Sequence, residues 1–253
     1  MTLDRVMKLA LNPARLMVEA GMDPDPWQRE AMTSEATRSL ILATRQGGKS
    51  SVAACRSVWE AICRPPALVV MLSPSLRQSS ELFRKALDAW RPFERLAPAT
   101  AETTLRLELE NGSRIVSLPS SEGTIRGYSG VRLLVVDEAA RVSDELYYAV
   151  RPMLAVSEGS LIAMSTPFGK RGWFHDAWEL GGESWSRVKV TALECPRIKP
   201  EFLEQERASM PARVFAQEYL CDFADAEDSV FSYEEIMAAL SDDIVPLFEG
   251  EQL

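Results

Sequence analysis

Ala43, Gly48, Lys49 and Ser50 carry the spacing (A/G)xxxxGK(S/T), within the stretch SLILATRQGGKSS from Ser39 to Ser51. An apolar strand, a loop with two adjacent glycines and a Lys-Ser pair opening a helix form a phosphate-binding arrangement. Small residues let successive N–H groups converge on phosphate oxygens, and the helix N-terminus adds its positive dipole end. Thr44, Arg45, Gln46, Gly47, Gly48, Lys49, Ser50 and Ser51 are the candidate nucleotide-binding residues. Lys49 can reach the β and γ phosphates of ATP, and the Ser50 hydroxyl can ligate Mg²⁺. The competing reading is a glycine turn between a buried strand and a helix.

A second stretch, VRLLVVDE from Val131 to Glu138, brings two carboxylates to the carboxyl end of an apolar strand. In an open α/β sheet that end lies beside the phosphate loop. Asp137 can hold Mg²⁺, and Glu138 can polarise an attacking water, the second acid being what hydrolysis needs beyond binding. A third strand, SLIAMSTP from Ser160 to Pro167, ends in hydroxyls at the same edge. There Ser165 and Thr166 can sense the γ-phosphate or orient Glu138. Upstream, Trp27-Gln28 can stack on adenine and hydrogen-bond its edge, or Trp27 can be a packing residue.

The elements that must position these residues read as alternating helices and strands. Residues 2–20 predict one or two helices broken near Asn12-Pro13, and a further helix follows the Asp23-Pro24-Asp25-Pro26 turn. Lys49 to Cys63 is a helix, Ala67 to Ser73 a buried strand, and Ser75 to Arg95 an amphipathic helix. Its Arg84, Lys85, Arg91 and Arg95 form a basic face, either solvated or in contact with phosphate. Asn111-Gly112 between two alternating runs predicts a hairpin on the sheet edge. Ser143 to Leu154 and Gly172 to Leu180 are helices, the latter containing His175 as a structural residue, and Trp185 to Thr191 is a strand. Pro200 to Met210 and Arg213 to Leu220 predict a helical pair, and Tyr233 to Leu240 one more helix. This is an α/β class chain: a mostly parallel central sheet flanked by helices, with a small C-terminal lid.

Composition narrows the class. The chain has 253 residues and a net charge of −9. Residues 214–253 hold eleven acidic side chains and no Lys or Arg, so residues 1–213 are near +2. That acidity belongs to the tail; it neither argues against nucleic acid meeting one face of the main domain nor supports it. The four cysteines form no C-x-x-C pair and His175 is the only histidine, which argues against a zinc site or a disulfide framework. No apolar run is long enough to span a bilayer.

The ordered set Trp27-Gln28, ATRQGGKS, IRGYSGVRLLVVDEAA, MSTPFGKRGWF and RVFAQEYLCDFADAEDSVF resembles the large terminase subunit of tailed bacteriophages, over about residues 23–232. The resemblance implies a P-loop NTPase of the additional-strand, catalytic-Glu type that drives genomic DNA into capsids. It implies Lys49 and Ser50 on phosphate and Mg²⁺, Asp137 on Mg²⁺, Glu138 as catalytic carboxylate and Ser165-Thr166-Pro167 as coupling motif. It implies double-stranded DNA, a portal protein and a small terminase subunit as partners. It also implies a homo-oligomeric, pentameric ring when assembled, which can be a monomer in isolation, acting in the host cytoplasm without membrane attachment.

Two arginines carry open roles. Arg45 can contact the γ-phosphate or tie the loop to neighbouring elements, and Arg126, in the IRG triplet, matches the family position proposed to reach a neighbouring subunit's nucleotide. Either can instead sit in a surface salt bridge. The expected division is an ATPase core over 1–192, a helical lid over 193–223 and an acidic linker over 224–253. That linker would lead toward the family's nuclease domain, for which no strand here presents acids together. A helicase or remodelling ATPase, or a nucleotide-gated binding module, are the alternative classes.

Overall fold

The computed structural model describes residues 2–120, 125, 127–224 and 239. Eight strands form one sheet, in the order β3-β4-β5-β2-β6-β7-β1-β8. The strands are β1 (Arg38–Ala43), β2 (Leu68–Ser73), β3 (Ala99–Glu102), β4 (Arg106–Leu109), β5 (Arg114–Pro119), β6 (Leu133–Asp137), β7 (Ser160–Ser165) and β8 (Ser186–Val190). Strands β5, β2, β6, β7, β1 and β8 run parallel, and β3 and β4 add an antiparallel extension.

The central parallel strands β2, β6, β7 and β1 read as continuous apolar runs because both faces are covered. Ile41 and Ala43 of β1, with Val69 and Met71 of β2, face one core; Leu40 and Leu42, with Val70 and Leu72, face the other. The first core is covered by α1 (Thr2–Leu11), α2 (Ala14–Glu19), α3 (Pro26–Thr33), α4 (Lys49–Cys63) and α5 (Leu76–Trp90). The second lies under α6 (Asp144–Val150) and α7 (Gly172–Leu180), where Trp173 stacks on Tyr147 at 3.9 Å and donates its ring N–H to Val142 O. His175 is buried edge-on to Phe223. All four cysteines are free. The chain then forms the short antiparallel pair α8 (Pro200–Ser209) and α9 (Ala212–Tyr219).

The break at Asn12-Pro13, helix α4 and the three site strands fall where the sequence puts them, within a residue or two. Two helices end earlier than their apolar pattern. The segments 91–93 and 151–154 are 3-10 turns, each with a proline at its start, where a missing N–H and fixed φ end the α-helical ladder. The hairpin is deeper in the sheet than an edge insertion, because β5 pairs in parallel with β2 and β3 lies outside it. The expected helix over Tyr233 to Leu240, nearly all of the acidic 224–253 segment and Arg126 lie outside the described residues. Among the described residues, no helix is long and apolar enough to cross a membrane.

Strand order positions the site. The strand ending at Asp137 is separated from the phosphate-loop strand by β7, an additional strand between them. In register, Leu42 of β1 faces Ser165 of β7, and Met164 of β7 faces Asp137 of β6. All three carboxyl ends therefore meet at one edge.

Candidate active site

The phosphate loop enters α4 through Gly48, whose φ of +93° is one that only glycine adopts without strain. A Cβ there would also lie 2.5 Å from Gln28 Nε2 and 3.2 Å from Arg197 Nη2, so the loop backbone is closely approached from two sides. No side chain caps α4, which leaves its leading N–H groups to an anion.

Lys49 is 7% exposed, and its Nζ lies 3.3 Å from Glu138 Oε1. Glu138 follows β6 in the left-handed region, φ +49°, which turns its carboxylate back toward the loop. Its other oxygen lies 3.9 Å from Arg141 Nε. Asp137 is buried, and its Oδ1 has no hydrogen-bond partner. Burial, then the neighbouring Glu138 charge, pushes its carboxyl up to about 6, against the pull of Lys49. Ser165 Oγ, also buried, has no partner either, and Thr166 beside it is 2% exposed. Pro167 continues from the same strand end. An orphaned carboxylate oxygen between a lysine and a second acid fits a cation held by one carboxylate, a hydroxyl, phosphate oxygens and water. Among the described residues no three His, Cys, Asp or Glu side chains converge into a cage that would hold a metal by themselves.

A cavity of about 1020 Å³ opens beside the loop. Arg45, Gln46, Gly48, Lys49, Ser50 and Ser51 form its loop wall. The opposite wall comes from the chain after β8, with Arg197, Ile198, Lys199, Phe202 and Tyr219, and Lys85 of α5 adds one more cation. Lys85 thus faces the cavity, while its neighbours Arg84 and Arg91 pair with Glu81 and Glu102.

Thr44 and Arg45 lean on α9. The Thr44 hydroxyl donates to Glu218 O at 2.8 Å, and Arg45 Nε lies 2.7 Å from Glu218 Oε2. Gly47 hydrogen-bonds back to Thr44 O. Gln28 ties the start of α3 to the loop: its Oε1 accepts from Asp25 N–H, and one Nε2 hydrogen is donated to Gly48 O at 3.3 Å. The Asp25-x-x-Gln28 spacing is a helix-start signal legible in the sequence. Trp27 is outside the cavity lining; it packs half-buried against the first core, at the start of α3.

Arg197, for which the sequence offers no motif, joins three parts. It donates to both Asp25 oxygens, at 3.0 and 2.8 Å, and to Gly47 O at 3.0 Å. Asp25 is 8% exposed. Arg197→Ala is expected to cost about 1–2 kcal/mol, because a buried carboxylate loses a bidentate partner while the arginine itself is half-exposed. Urea denaturation measures this; an unchanged midpoint would show that the pair contributes nothing.

Comparison with known proteins follows the same outline. The family model described as Terminase large subunit, T4likevirus-type, N-terminal, matches residues 40–238. The terminase large subunit of Thermus phage G20c is 25% identical over 248 residues, covering 84% of this chain and 51% of that protein. The chain thus spans about half the length of that relative. The large terminase ATPase domain of Thermus phage P74-26 superposes with a TM-score of 0.73 at 21% identity, over 82% of this chain and 97% of that one. The large terminase of a thermophilic bacteriophage in complex with ADP gives 0.68 at 11% identity, over 79% of this chain and 54% of that one. Both structural likenesses carry the fold alone, a mostly parallel sheet flanked by helices.

Proposed function

Because the chain belongs to the terminase large-subunit family, we propose that it hydrolyses ATP to drive double-stranded viral DNA into a procapsid. The observation that carries this reading is the meeting of Lys49 and Glu138 at 3.3 Å beside the unpartnered Asp137 carboxylate, at the shared carboxyl edge of three parallel strands.

Lys49 and the N–H groups opening α4 take the triphosphate. Mg²⁺, which the Ser50 hydroxyl and the Asp137 carboxylate would hold, supplies positive charge against the phosphate oxygens. As Lys49 turns to phosphate, Glu138 is released to orient water. The water oxygen attacks the γ-phosphorus, the bond to the β–γ bridging oxygen breaks, and the water proton passes to Glu138. Ser165, Thr166 and Pro167, on the strand between the loop and the two acids, sense the γ-phosphate. Thr44 and Arg45 pass loop movement to α9 through Glu218, so that α8 and α9 act as a lid.

Arg126 serves a neighbouring subunit's nucleotide in a homo-oligomeric ring, with portal protein and small terminase subunit as partners in the host cytoplasm. Steady-state ATP hydrolysis over a wide range of protein concentration, with and without double-stranded DNA, tests this. Turnover per chain that rises with concentration and is lost in Arg126→Ala is expected. Tight ATP binding without Glu138-dependent turnover, even with DNA and assembled partners, would leave a nucleotide-gated module instead.

A further inference from the structure

A phosphate loop has to aim its N–H groups at an anion, and its own glycines leave the direction of each peptide open. Among the described residues, the N–H groups of Gly48, Lys49 and Ser50 meet no acceptor. The carbonyls that precede the first two are held. In a trans peptide the C=O and the next N–H point opposite ways, so whatever holds a carbonyl turns the next N–H away from itself. Gly48 O is held by the N–H groups of Ser51 and Val52 in the first turn of α4, and by one Gln28 Nε2 hydrogen. Gly47 O is held from outside the loop, by Arg197 Nη2 at 3.0 Å.

The surroundings of Arg197 fix it for this contact. Its turn is closed by Ile198 N–H to Cys195 O at 2.9 Å, and Cys195 and Ile198 both pack into the first core. Asp25 takes one edge of the guanidinium through both oxygens, at 3.0 and 2.8 Å, a fork that sets its plane. The second hydrogen on Nη2 is then left for Gly47 O. We propose that Arg197 is a positioning residue of the phosphate site, which holds the Gly47 carbonyl and so turns the Gly48 N–H toward phosphate. The inference rests on the phosphate site proposed above and extends it to the chain after β8. Because Arg197 stands just before α8, that chain and the loop are joined at the peptide that opens the anion site.

The test is calorimetric titration of the full chain with Mg²⁺ and either ATP or tripolyphosphate, well below the unfolding transition. Arg197→Ala is expected to weaken both ligands ~5- to 30-fold, what one misaimed hydrogen bond to a charged group costs. Arg197 also lines the cavity, where its charge alone would attract phosphate, and Asp25→Asn separates the two roles. Direct attraction predicts tighter binding in that variant, because a negative charge is removed; loss of the fork predicts weaker binding, by ~3- to 10-fold. Arg197→Lys keeps the charge without the fork and stays weak for both ligands. In all three variants KM for ATP rises with Kd while kcat changes by less than about twofold, since Lys49 and Glu138 are untouched. A role in stability alone would lower the urea midpoint and leave both affinities unchanged, which would overturn the proposal. Tighter binding in Asp25→Asn, or full affinity in Arg197→Lys, would overturn it too. Failure of the wild type to bind either ligand would instead overturn the phosphate site itself.

Discussion

Glu138→Gln is expected to lower steady-state ATP turnover ~10²- to 10⁴-fold, the usual contribution of a positioned general base, while ATP binding becomes tighter by a fewfold. The two effects have one cause. Glu138 Oε1 lies 3.3 Å from Lys49 Nζ, so phosphate and this carboxylate draw on the same ammonium. The amide keeps the shape of the side chain but neither attracts Lys49 as strongly nor accepts a proton from water. A merely structural Glu138 would give a different pattern, with binding and turnover falling together as the loop loosened. Single-turnover hydrolysis alongside equilibrium ATP binding separates the two. Unchanged turnover in Glu138→Gln would remove this residue from the chemistry.

The centre of the sheet was legible from the sequence because β2, β6, β7 and β1 are unbroken apolar runs with polar residues only at their ends. The strands reaching Ala43, Asp137 and Ser165 each announce themselves this way, and the parallel-sheet rule brings their ends together. Strand β3 was not legible: Ala99–Glu102 is short and mostly exposed, and only its pairing with β4 makes it a strand. The second wall of the cavity was hidden for a different reason. Arg197, Phe202 and Tyr219 are spaced as ordinary residues of an amphipathic segment, and their meeting with the loop depends on how the chain returns after β8. Lys85 illustrates the same limit, since helical periodicity puts it on a basic face without saying that this face ends at a cavity. Gln28 adds a local layer to its sequence reading: its position before a phosphate loop suggests a base reader, and the structure adds a helix-start bond to its carbonyl and a bond from its amide to the loop backbone.

The largest effect on stability is expected from Asp137→Asn, and it is a gain. Burial and the adjacent Glu138 raise the Asp137 carboxyl from 3.8 to about 6 in the folded chain. Below pH 4 both folded and unfolded chains hold the proton, so the residue makes no pH-dependent difference. Between pH 4 and 6 the folded chain holds a proton that the unfolded chain has lost, and stability therefore falls as pH rises through that window. Above pH 6 the buried charge costs its full amount, about 3 kcal/mol for a shift of about two units. Asparagine carries no charge but leaves the orphaned oxygen position unsatisfied, so about 2 kcal/mol should be recovered, or a Tm higher by roughly 4–8 °C at pH 8 without metal. The gain should vanish at pH 4. With Mg²⁺ and ATP the order should reverse: wild type gains thermal stability from the ligand pair, while Asp137→Asn gains less and loses turnover. Thermal unfolding of both proteins at pH 4 and 8, in chelator and in Mg²⁺ with ATP, checks each arm. A variant no more stable than wild type at pH 8 in chelator would show that the Asp137 charge is already compensated in the ligand-free protein. A site that destabilises its own empty fold in this way favours the loaded state, which is what a nucleotide-driven cycle requires of the acid at its centre.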